Sequence, residues 1–157
     1  MRSILLATAL SASLASAAAA ADWTATARDI LGRSVAFPTV EGRGQVPAYA
    51  DYLAGLLRDA GFAPEDVVVR RVGETATLTA RYRGSGAKRP MLLSGHMDVV
   101  EADPKDWERD PFTMVEDKGY LFGRGVEDNK FDVSMMVATL IRLKAEGFKP
   151  ARDIVLV

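Results

Sequence analysis

The chain of 157 residues contains no cysteine. Disulfides, thiolate catalysis and cysteine-ligated zinc are therefore excluded, and any zinc site must use histidine and carboxylates. Histidine is nearly missing as well: His96 is the single copy. There is no basic excess. Lys plus Arg number 20 against 21 acidic residues, for a formal net charge of −1, which argues against the footprint of a nucleic-acid-binding protein. Beyond residue 21 no apolar run is long enough to span a membrane, and no internal repeat or low-complexity segment occurs. What is present is ordinary globular sequence, about half apolar and a quarter charged. Its length suits one domain with a sizeable core.

Residues 1–21 read as a secretory signal peptide: Arg2 is the positive start, Ile4 to Leu14 a short apolar core, and Ala17 to Ala21 the small-residue cleavage region. The mature protein is thus expected to be exported, periplasmic or secreted, with no membrane span after cleavage. The rest, 22–157, is read as one unit. Asp22 can cap a helix from Trp23 to about Arg33, ended by the Phe37-Pro38 step. Pro47 opens a second helix with Tyr49, Leu53, Leu56 and Leu57 at helical spacing, closed by Gly61. Val67 to Val72 and Ala76 to Tyr82 read as strands, the second half-buried by its alternation. Arg70-Arg71 and Lys88-Arg89 read as solvated surface.

Met91 to Ser94 is apolar on both faces and is expected to be a central strand. Phe112 to Val115 and Gly119 to Phe122 are expected to pair as a hairpin across Glu116-Asp117-Lys118. Asn129 to Glu146 predicts the longest helix, apolar on more than one face and capped by Gly147. Asp153 to Val157 starts a further strand. The expected class is α/β, a mixed sheet flanked by helices on both faces. A strand at the very end predicts that 22–157 is the N-terminal part of a longer, truncated domain.

Two short apolar runs each end in ligand chemistry: Gly95-His96-Met97-Asp98, and Gly123-Arg124-Gly125-Val126-Glu127-Asp128. In open α/β sheets, ligands bind beyond the carboxyl ends of strands. His96 and Asp98 fall on one side of an extended backbone, so Asp98 can accept the second imidazole N–H and fix the tautomer. On residue chemistry alone Asp98 is equally a turn residue and Asp128 equally an N-cap for the long helix. Gly123 and Gly125 read as places where backbone passes close to a bound ligand, or as plain turn glycines. Trp107 and Phe112 read as loop anchors.

Taken in order, Leu93 to Val100, Trp107-Glu108-Arg109-Asp110-Pro111-Phe112 and Gly123 to Lys130 resemble the di-zinc metallopeptidases of family M-twenty. That family includes carboxypeptidase G, aminoacylase, acetylornithine deacetylase and succinyl-diaminopimelate desuccinylase. The resemblance spans roughly Ala48 to Val157. It implies a zinc-exopeptidase-like catalytic domain with two Zn(2+) per site in the intact protein. His96 would be a ligand of one zinc, Asp128 the bridge between both, and Asp98 the catalytic support beside His96. Phe131 stands where the family commonly has glycine. The family's general base comes from a Glu-Glu pair after the next strand, which would lie beyond Val157. The implied reaction is hydrolysis of an amide or peptide bond next to a free carboxylate, on a peptide or N-acyl-amino-acid substrate. An exported member suits an exopeptidase or dipeptidase better than a biosynthetic deacylase. The family often dimerises through a separate lid domain, so a homodimeric parent is within the resemblance. The rival reading is a non-enzymatic remnant or binding module of the same fold, and the chain alone is expected to be inactive.

Overall fold

The computed structural model describes residues 21–157. The signal-peptide reading falls almost wholly outside these residues. The elements run α1 (Trp23–Val35), α2 (Val46–Asp59), β1 (Val67–Val72), β2 (Thr75–Tyr82), β3 (Met91–Leu93), β4 (Val115–Asp117), β5 (Tyr120–Phe122), α3 (Lys130–Ala145) and β6 (Ile154–Leu156). Among the described residues no helix is long and apolar enough to cross a membrane.

Local chemistry sets the helix ends. Asp22 Oδ1 accepts from Ala25 N at 2.9 Å and caps α1. Pro47 sits in the first turn of α2, where its missing N–H is harmless. Gly61, at φ +88°, ends α2 while Phe62 N donates back to Leu57 O at 3.1 Å. Gly147 and the Phe148 N to Leu143 O bond repeat this closure after α3. Leu53 and Leu57 are fully buried against the sheet, each contributing about 1.5–3 kcal/mol from removal of apolar surface from water.

The main sheet has the order β1-β2-β6-β3. β6 runs antiparallel to β2 and parallel to β3, with Ala80 and Leu93 both opposite Leu156. Ala76, Leu78, Ala80 and Tyr82 of β2 are buried, together with Ile154 and Leu156 of β6, in one core shared with the helices. The intervening positions Thr75, Thr77 and Arg81 are exposed. The described elements thus cover one face of the sheet rather than two. On the far side of α3, Ser134 Oγ meets Ser34 Oγ of α1 at 3.2 Å, both buried. Two small residues there let the helices approach closely.

Two strand expectations are corrected. Among the described residues β3 lies at the edge of the four-stranded sheet rather than its centre: β6 arrives from far along the chain and inserts between β2 and β3. Leu92 is accordingly 63% exposed. The small hairpin pairs Val115 with Phe122 and Asp117 with Tyr120, so its turn is Lys118-Gly119 and Glu116 and Asp117 belong to a strand. Both turn residues have positive φ, +51° and +82°, the two-residue geometry whose twist suits a hairpin.

Candidate metal centre

The three polar residues singled out in the sequence converge at the ends of β3 and of the loop before α3. His96 Nε2 lies 2.8 Å from Asp128 Oδ1. His96 Nδ1 lies 3.1 Å from the Asp98 backbone oxygen and 3.2 Å from its carboxylate. Asp98 therefore occupies one ring nitrogen and leaves the other facing Asp128. Burial works to lower the His96 pKa, but the bonds to Asp128 and Asp98 and their charges outweigh it and hold it above its ordinary value. The imidazole is half exposed and the Asp128 carboxylate largely so. A cleft of about 250 Å³ opens here, lined by His96, Asp98, Arg124, Glu127 and Asp128 among others.

The backbone around these groups is tied to one segment, Phe37 to Val40. Thr39, fully buried, donates its hydroxyl to Met97 O at 2.6 Å and accepts from Val99 N at 3.1 Å. Those two bonds bracket Asp98. Lys130, also fully buried, donates Nζ to Phe37 O at 2.5 Å and lies over the Tyr49 ring. Burial brings the Lys130 pKa down to about 8. The connector between α1 and α2 thus holds both the His96 loop and the start of α3.

Several expectations change at this point. Asp128 does not cap α3; Asn129 is the cap residue, and its side chain makes no capping bond. The Asp128-Asn129 peptide is cis. Gly123 and Gly125 also sit where a side chain would collide with the surrounding packing. A Cβ on Gly125, at φ +80°, would lie 2.6 Å from Val99 Cγ1, and one on Gly123 would lie 3.0 Å from Val35 Cγ1. Trp107 and Phe112 behave as loop anchors: Arg124 stacks over Trp107 and Arg43 over Phe112, each 5.2 Å from the ring centre. Thr39, Asn129 and Lys130 were not singled out in the sequence, because each acts through a partner far away in the chain.

An imidazole nitrogen and a carboxylate oxygen facing each other form a donor pair that suits zinc. Among the described residues no group of three or more His, Cys, Asp or Glu gathers as a metal site. The residues present therefore fit two positions of a coordination shell that needs about four.

Residues 92–157 match the sequence family described as "Peptidase family M20/M25/M40". This stretch of the chain is similar to that family. It contains β3, His96, Asp98, Asp128 and α3. A succinyl-diaminopimelate desuccinylase from Methylobacterium sp. (strain 4-46) is 41% identical over 97 residues, covering 60% of this chain and 24% of that protein. A Beta-Ala-Xaa dipeptidase from Lactobacillus delbrueckii subsp. lactis is 36% identical over 115 residues, covering 72% of this chain and 22% of its own length. The chain thus spans about a quarter of the curated relatives it matches. A solved di-peptidase of Saccharomyces cerevisiae shares the fold, with a TM-score of 0.71 at 23% identity over 85% of this chain and 31% of its own. The mixed α/β architecture is therefore shared with part of that solved structure.

Proposed function

We propose that the intact protein is a zinc-dependent hydrolase of amide or peptide bonds next to a free carboxylate. The observation that carries this reading is the 2.8 Å approach of His96 Nε2 to Asp128 Oδ1 with Asp98 behind the other ring nitrogen, inside the stretch that matches the peptidase family. His96 and Asp128 would hold zinc, and by the family resemblance Asp128 would be shared between two ions. Bound zinc supplies polarisation of the scissile carbonyl and a lowered pKa for a bound water. Asp98 accepts the Nδ1 proton, which fixes the tautomer, aims Nε2 at the site and raises its basicity.

Export, read from residues 1–21, favours an exopeptidase or dipeptidase that trims peptides outside the cytoplasm. The dipeptidase relative supports that substrate class. A second reading, an N-acyl-amino-acid deacylase, is favoured by the 41% identity to a desuccinylase. The test is the intact protein, purified with zinc and offered dipeptides, acetylornithine and N-succinyl amino acids. Dipeptide turnover that His96→Ala abolishes is the expected result. Turnover of the acyl substrates alone selects the deacylase. Turnover of neither class by zinc-loaded protein would leave a binding module. N-terminal sequencing should find a mature start near Asp22; Met1 retained on cytoplasmic protein would refute export.

A further inference from the structure

We propose that Asn129 is a positioning residue that sets how His96 meets Asp128. The proposal rests on reading those two residues as metal ligands and adds a residue to that site. Asn129 Oδ1 accepts from the His96 backbone N–H at 3.1 Å. Asn129 Nδ2 donates to Asp132 Oδ2 at 2.7 Å. The second bond fixes which end of the amide faces His96. Asp128, the preceding residue, faces His96 Nε2 at 2.8 Å. His96 is therefore gripped at its backbone and at its ring by two consecutive residues. Rotation of one relative to the other would open the donor pair.

The approach is close. A Cβ on Gly95 would lie 2.7 Å from Asn129 Oδ1 and 2.9 Å from Val133 Cγ2, so the amide reaches His96 only because residue 95 has no side chain. The residue type follows from the two partners. The position needs an acceptor toward His96 and a donor toward Asp132, which an amide supplies and a carboxylate does not. Asn129→Asp retains the acceptor but turns the Asp132 bond into a like-charge repulsion. Adding Asp132→Asn reverses the direction of that bond and restores it.

The experiment uses the intact protein and three readouts: zinc affinity by chelator competition, the visible spectrum of the cobalt-substituted protein, and hydrogen exchange of the His96 amide in metal-free protein. Asn129→Ala and Asn129→Asp should each weaken zinc by about 10–100-fold, the usual scale for groups that orient a ligand. Both should shift the cobalt spectrum and speed exchange at His96. Asn129→Asp combined with Asp132→Asn should recover most of the affinity and the protection. If Asn129→Ala does not fold, the other two variants decide the matter. Wild-type affinity and His96 protection in Asn129→Ala would overturn the proposal, and so would a double variant no better than Asn129→Asp. If the unsubstituted protein binds no zinc, the ligand reading fails. Exchange at His96 in the metal-free variants then still decides whether Asn129 holds it.

Discussion

Thr39 shows how a single buried hydroxyl can govern a site it does not enter. Its bond to Met97 O has no solvent alternative, because Thr39 is fully buried. Thr39→Val keeps the shape, removes the donor and leaves a carbonyl short of its partner. It should destabilise the fold by about 1–3 kcal/mol, read as a lowered urea midpoint, and an unchanged midpoint would refute the account. Residues such as His96 and Asp98 were legible in the sequence because their relation is local: two positions apart in an extended run, they share a side. Thr39, Asn129 and Lys130 were not, because their partners lie 58, 33 and 93 residues away. No periodicity reports a bond of that kind.

At the scale of elements, Asp153 joins strands that the sequence separates widely. Its carboxylate accepts from Gly84 N and from Arg81 Nε, each at 2.8 Å, tying the start of β6 to the end of β2. The Gly84 bond first, and Arg81 second, hold its pKa below the ordinary carboxylate value. A folded pKa below the unfolded one means stabilisation that is complete above the unfolded value of about 4 and is lost as pH falls through the folded value. The Asp153→Asn variant should therefore lose less stability than the unsubstituted protein on going from neutral pH to well below 4. Parallel urea titrations at several pH values check this; identical pH slopes would exclude the contribution. The helices and the strands β1 and β2 were legible because caps, glycines and alternation agree locally. The place of β3 was not, since Met91-Leu92-Leu93 is equally apolar at an edge or a centre. Only the insertion of β6 decides it. The hairpin register slipped for a related reason: the turn depends on positive φ at Lys118, a residue that seldom marks one.

Taken whole, the described residues bring two suitable donors together and bury one continuous core on one side of a sheet. Residues 22–157 produced alone should hydrolyse no member of a dipeptide panel with added zinc, and His96→Ala should leave their behaviour unchanged. Turnover that disappears on that substitution would show that two donors suffice. The mixed sheet and the pair of ligand motifs were both legible at this scale, from the order of the elements and from the spacing of Gly95-His96-Met97-Asp98 against Asp128.

The segment Phe37 to Val40 has one more consequence, and it concerns time. It emerges early in synthesis, yet its bonds reach Met97, Val99 and Lys130. Closing loops of that length must precede the reward of the contacts. The donor pair thus depends on contacts distant in sequence: a nascent chain that has not yet released Asp128 has His96 but no fixed partner for it. A metal held by His96 and Asp128 would thus read out whether the chain's early and late parts have met.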